Sequence, residues 1–131
     1  MLDGDPPRVP PVLELVLGKH RVYSYEVKAG GLAKELCPAP LDTRTSKELG
    51  QLAVQAGRAI GCRDYWRVDF RLDAGSRPHI LEVNTLPGLM PGYSDLPVMA
   101  EAEGMTYGET IGAILASAVR RLETGTSSTI G

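Results

Sequence analysis

The sequence predicts an α+β fold in which an antiparallel sheet of hairpins packs against helices, and three observations carry that prediction. Short apolar runs come in adjacent pairs separated by polar turns, as hairpins require. Two segments place apolar residues at helical spacing directly behind a Thr-x-x-Glu pattern, which reads as a helix start. The 131 residues suffice for one modest core and not for two.

The elements follow in order. Pro6, Pro7, Pro10 and Pro11 make residues 1–11 an extended, proline-rich lead-in, poor at ladder hydrogen bonds. The folded unit is expected over 12–123, beginning near Val12. VLELVL (12–17) and VYSYEV (22–27) flank Gly18-Lys19-His20-Arg21 and predict a hairpin. Residues 28–43, with Gly30-Gly31, Pro38 and Pro40, have loop composition. Thr45 to Glu48 forms a capping box, so a helix is expected from there to about Ile60. Leu49, Leu52, Ala53, Ala56 and Ile60 would form its apolar side, and Gly61 its left-handed stop. Two strands follow within 65–88. Ser94 is placed to cap a short helix ending before Gly104, and Thr106 with Glu109 to open a last one whose apolar positions are Ile111, Ile114, Leu115, Ala118 and Leu122. Arg120 and Arg121 suit the negative end of that helix, and residues 124–131 form a flexible tail.

Composition excludes several classes of function. With 14 basic against 16 acidic residues the net charge is −2, which suits neither nucleic acid nor an anionic membrane. The start MLDGDPPRVPP lacks the basic-then-apolar order of a secretory signal, and no apolar run approaches a membrane span. Cys37 and Cys62 have no metal-ligand spacing, which points to free thiols in a reducing, cytoplasmic setting.

The chemistry lies in YWRVDFRLDAGSRPHILEVNTLPG, residues 65–88. Alternate strand residues share a face, so Trp66, Val68, Phe70 and Leu72 point one way and Arg67, Asp69 and Arg71 the other. On the returning strand Leu81 and Val83 are apolar, while Ile80, Glu82 and Asn84 take the opposite face. A turn centred near Gly75-Ser76 would pair Asp69 with Glu82 and Arg67 with Asn84. Like charges directly opposite destabilise a sheet by roughly 0.2–1 kcal/mol, so this pairing asks for a cation. Two carboxylates with an amide oxygen form a hard donor set suited to Mg²⁺ or Mn²⁺, and Mg²⁺ favours phosphate ligands. Arg67 stands beside it, ready to offset developing negative charge. A solvent-facing strand with Arg–carboxylate pairs would account for the same letters. What favours the site is Asn84-Thr85-Leu86-Pro87-Gly88, which breaks the strand just past the proposed ligands and ends in a glycine that admits close backbone approach.

Other residues read more plainly. His20 and His79 show no partner pattern that would make a base, Cys62, Trp66 and Phe70 read as core, and Tyr93 suits either a substrate loop or packing. Glu26 reads as a structural partner of Lys28.

The run GCRDYWRVDFRLDAGSRPHILEVNTLPGL resembles the carboxyl-terminal subdomain of the ATP-grasp fold, of the D-alanyl-D-alanine ligase type, through Gly-Cys, Arg-x-Asp and Glu-x-Asn-Thr-x-Pro-Gly. Tyr25-Glu26-Val27-Lys28 and Cys37-Pro38-Ala39 extend the likeness over nearly the whole chain. The resemblance implies an ATP-dependent carboxylate–amine ligase of cell-wall peptidoglycan biosynthesis. Asp69, Glu82 and Asn84 would bind two Mg²⁺ ions bridging the ATP phosphates, Lys28 would touch those phosphates, and Arg67 with the Gly88 amide would steady a tetrahedral intermediate. Its partners would be ATP and small amino-acid substrates. Two departures stand out. Leu89 to Asp95 replaces the family's hydroxyl-rich substrate loop, apparently one residue longer, and the family's amino-terminal domain, glycine-rich lid and adenine hinge have no counterpart in these residues. The expectation is therefore a catalytic part inactive by itself, with a non-catalytic module that binds metal, nucleotide or a protein partner as the alternative. Apolar strands near 12–27, normally covered, predict a homodimer or completion by an amino-terminal part.

Overall fold

The computed structural model describes residues 1–18 and 34–123. The strand expected at 22–27, with Lys28, and the tail at 124–131 lie outside the described residues. Within them the fold is α+β: two two-stranded antiparallel sheets and three helices.

Strand β1 (Glu14–Val16) pairs with β2 (Lys34–Leu36), with Leu15 opposite Glu35. This corrects the loop expected across 28–43. A three-residue strand carries no legible alternation, and its pairing partner alone makes it one.

Helix α1 (Thr43–Ala59) starts earlier than expected because Asp42, not Thr45, caps it. Asp42 sits in extended backbone and its carboxylate accepts from the Thr45 amide at 2.9 Å and the Thr45 hydroxyl at 2.7 Å. The Thr45 hydroxyl therefore donates to the cap rather than acting as one. Gly61 takes the left-handed conformation at φ 76°, and the Cys62 amide returns to the Gly57 carbonyl at 2.8 Å. Leu49, Gly50, Ala53 and Gly57 form the buried face, while Ile60 lies past the helix end and is exposed.

Strands β3 (Arg67–Leu72) and β4 (Pro78–Asn84) pair in the predicted register: Arg67 opposite Asn84, Val68 opposite Val83, Asp69 opposite Glu82. Beyond Asp69 the register slips by one and Phe70 meets Ile80. Leu81 is the extra residue of this bulge and is 66% exposed, contrary to its expected core position. Alternation counted along β4 fails across a bulge because the period of two is broken there.

Helix α2 (Asp95–Ala102) follows Ser94 and stops before Gly104, whose φ is 93°. The capping box opens α3 (Tyr107–Glu123): the Thr106 amide donates to Glu109 Oε2 at 2.7 Å and the Glu109 amide to Thr106 Oγ1 at 3.2 Å. The inner stripe of α3 runs through Thr110, Ala113, Ile114 and Ser117, so Leu115 and Leu122, expected in the core, face outward. No described helix is long and apolar enough to cross a membrane.

The core has two parts. Leu2, Leu96, Ala100 and Met105 pack with Tyr65, Leu89, Ala113 and Ile114, while Met1, Ala53 and Trp66 pack with Val54, Cys62, Val68, Phe70 and Val83. Met1 and Leu2 belong to it although the fold was expected to begin near Val12. Leu2 bridges to both Arg8 and Tyr65, and Met1 exchanges hydrogen bonds with Trp66, so this stretch continues the β3 ladder by one short step.

Candidate functional site

The apolar face of the β3–β4 hairpin is seated on α1. Val68 and Val83 pack with Trp66, which is wholly buried and donates from its indole nitrogen to the Ala53 carbonyl at 2.9 Å. Fixing that face fixes the other, because strand side chains alternate. Arg67, Asp69, Glu82 and Asn84 therefore share one face, with the two carboxylates directly opposite each other.

The far end of the hairpin is tied by Asp73. Its carboxylate accepts from the amides of Gly75 and Arg77 at 2.8 and 3.0 Å, from Arg77 Nε at 2.8 Å, and meets His79 Nε2 at 3.2 Å. The backbone bond from Arg77, then His79 and the other donors, holds its pKa down to about 2. Asp73 and His79 thus set the turn, well away from the carboxylate pair.

At the site end, Arg67 organises the charges. Its Nε and Nη2 grip Asp69 at 2.7 and 2.9 Å in a fork, and Nη1 donates to Asp95 Oδ2 at 2.7 Å. Burial works to lower the guanidinium's pKa, but the fork to Asp69 and the charges of Asp69, Asp95 and Glu82 outweigh it and the net shift is upward. Asn84 Oδ1 accepts from the Leu86 amide at 3.1 Å, bending the chain off the strand. A Cβ on Gly88 would stand 2.7 Å from the buried Ser94 hydroxyl, so glycine is needed there to let Ser94 close the loop. That hydroxyl accepts from the Met90 amide at 3.0 Å. The Ser94 hydroxyl is thus the close neighbour that an added side chain at Gly88 would meet.

Three oxygen-bearing side chains in register, two of them opposed carboxylates, make a donor set suited to a hard divalent cation. Among the described residues no cluster holds three or more His, Cys, Asp or Glu side chains, so the amide of Asn84 would be essential to the set. Asp69 already spends both oxygens on Arg67, while Glu82 is exposed.

The structure brings together Arg67, Asp69, Glu82 and Asn84, with Gly88 at the end of the same strand break; Lys28 lies outside the described residues. It adds Asp95 and Ser94, which sequence reasoning placed in the 89–95 loop, with Ser94 as a helix cap, and did not connect to Arg67. No periodicity links positions 28 residues apart. Cys37 and Cys62 are free thiols whose pKa values burial pushes up, which suits packing better than nucleophilic attack. A cavity of about 450 Å³ lined by Leu2, Asp3, Pro6, Arg8, Ala113 and Arg120 includes no hairpin residue.

Comparison with known proteins gives a consistent result. The family described as "D-ala D-ala ligase C-terminus" matches residues 1–116. The D-alanine–D-alanine ligase of Bordetella avium is 40% identical over 116 residues, covering 88% of this chain and 36% of that protein. Among solved structures, the D-alanine–D-alanine ligase of Bacillus anthracis complexed with ATP superposes with a TM-score of 0.69 at 26% identity, over 88% of this chain and 36% of its own. The VanG D-Ala:D-Ser ligase of Enterococcus faecalis superposes at 0.61 and 26% identity, over 79% and 29%. The chain thus spans about a third of the length of the curated relatives it matches.

Proposed function

The chain belongs to the D-ala D-ala ligase carboxyl-terminal family, and from that premise we propose that it is the carboxyl-terminal catalytic part of an ATP- and Mg²⁺-dependent carboxylate–amine ligase. The observation that carries this reading is the register of the hairpin, which sets Asp69 against Glu82 and Arg67 against Asn84 on one face. Opposed carboxylates are unfavourable in a bare sheet and favourable around a cation.

Asp69, Glu82 and Asn84 would hold Mg²⁺ or Mn²⁺, two ions in the complete site, and the metal would neutralise phosphate charge during transfer. In the proposed reaction a carboxylate oxygen attacks the γ-phosphorus of ATP and ADP leaves. The amine of a second amino acid then attacks the acyl carbon, giving up a proton as phosphate departs. Arg67, held in the plane of its fork, would present positive charge toward the oxyanion of that second step, and the Gly88 amide is assigned to the same oxyanion. Lys28 is assigned to the ATP phosphates. D-alanine is the proposed carboxylate substrate. The longer loop at 89–95 bears on the choice of amine, and relatives include both D-Ala and D-Ser ligases by name. Cytoplasmic peptidoglycan synthesis, and pairing of two copies or completion by an amino-terminal part, belong to the same reading.

The test is calorimetric titration of the chain with ATP, with and without Mg²⁺, beside Asp69→Asn. Metal-dependent binding that the substitution abolishes is expected. Binding that is indifferent to Mg²⁺ or to the substitution would remove the hairpin from the phosphate site.

A further inference from the structure

The reading above gives Asp69 two duties. Both its oxygens take donors from Arg67, at 2.7 and 2.9 Å, and the same carboxylate stands opposite Glu82 as a cation ligand. A guanidinium and a divalent ion draw on the same negative charge, so a carboxylate that turns toward the ion weakens its fork. Some other group must then keep Arg67 on the polar face.

Asp95 has the geometry for this. Its Oδ2 accepts from Arg67 Nη1 at 2.7 Å, a nitrogen that Asp69 leaves alone. The acceptor is also rigidly placed. Asp95 opens α2, where the helix dipole favours a negative charge, between buried Ser94 and buried Leu96 and Pro97. The Ser94 amide donates to the Met90 carbonyl at 2.9 Å while its hydroxyl accepts from the Met90 amide, so the residue before Asp95 is pinned on both sides.

The second oxygen of Asp95 argues for function over fold. The side chain is only 6% exposed, yet among the described residues Oδ1 is buried with no hydrogen-bond partner. Most buried polar side-chain atoms have a partner, and working sites are one place where structures carry the cost of an exception. Asp69, by contrast, is about a third exposed and free to change partners.

We propose that Asp95 is a positioning residue, the anchor that holds the Arg67 guanidinium on the hairpin's polar face when Asp69 engages a divalent cation. The inference rests on the metal reading of Asp69, Glu82 and Asn84.

The experiment is NMR of the isotope-labelled chain with and without Mg²⁺. The side-chain carboxyl carbons of Asp69 and Glu82 report the metal, and rotation of the Arg67 Nη groups reports the anchor. In the unmodified chain, Mg²⁺ should shift both carboxyl carbons while the Nη groups stay in slow rotation. In Asp95→Leu the carboxyl carbons should still shift, but Nη rotation in Mg²⁺ should accelerate by about tenfold, the worth of one hydrogen bond to a charged group. That acceleration should depend on Mg²⁺, because without it the Asp69 fork still holds Nε and Nη2, and the dependence separates positioning from a purely structural role. Asp95→Asn, which keeps an acceptor oxygen and the side-chain volume, should fall between the two and serves if the leucine variant does not fold. Carboxyl carbons that ignore Mg²⁺ in the unmodified chain would sink the metal reading and this proposal together. Carboxyl carbons that respond, with Arg67 rotation unchanged in either variant, would overturn the proposal alone.

Discussion

Replacing Gly57 by alanine should damage this fold from a position where alanine normally helps. Gly57 lies inside α1, and in an ordinary helix interior Gly→Ala gains about 1 kcal/mol. Here the added Cβ would stand 2.2 Å from Cε2 and Nε1 of Trp66 and 2.8 Å from Cδ1. The indole is wholly buried and cannot swing into solvent, so ring or helix must shift by an ångström or more. Overpacking of this kind costs about 1–3 kcal/mol. A shifted ring also loses its 2.9 Å bond to the Ala53 carbonyl, leaving buried polar groups unpaired at about 1–3 kcal/mol. Set against the propensity gain, we expect a net loss of about 3 kcal/mol, or about 10 °C in melting temperature for a domain of this size. Urea unfolding followed by fluorescence is direct, because Trp66 is the only tryptophan. Gly112→Ala is the control: that glycine lies in α3 with nothing within 4 Å of its built Cβ, and a gain of about 0.5–1 kcal/mol is expected. A Gly57→Ala chain as stable as the unmodified one, with the same denaturant slope, would refute the packing of the hairpin on α1.

The remaining expectations concern the two ends of the hairpin. Gly88→Ala should cost about 1 kcal/mol by pushing away the Ser94 hydroxyl and its bond to Met90, and the loss should not add to that of Ser94→Ala, since both remove the same bond; additive losses in a double-mutant cycle would contradict the contact. Asp73, with its pKa held down to about 2, binds its proton less readily folded than unfolded. Its contribution to stability should therefore be complete above pH 4 and disappear as pH falls from about 4 toward 2, a slope that Asp73→Asn should flatten in acid-unfolding curves. An unchanged slope would mean that the turn does not hold that carboxylate.

The register of the hairpin's polar face was legible in the sequence. Period-two alternation and a turn centred on Gly75-Ser76 were enough to set Asp69 against Glu82 and Arg67 against Asn84, because register in a hairpin follows from the turn and from which face is greasy. The helix signals at Thr106, Glu109 and Gly61 are local in the same way: backbone groups within a few residues are satisfied by side chains within a few residues. Family membership was legible too, since it rests on a short ordered string of residues.

Tertiary structure decided what depends on distant neighbours. Leu81 faces outward because a bulge interrupts the alternation, and Leu2 is core because Tyr65 and Leu96 lie beside it. Gly57 proved to be a seat for an indole. Asp95 reaches Arg67 only because the chain beyond Asn84 returns to the start of β3. Sequence specifies interactions within a turn or a strand pair, where separation is short and geometry repeats. Contacts between elements depend on how faces are rotated against each other, and that rotation is set by the packing of all of them at once.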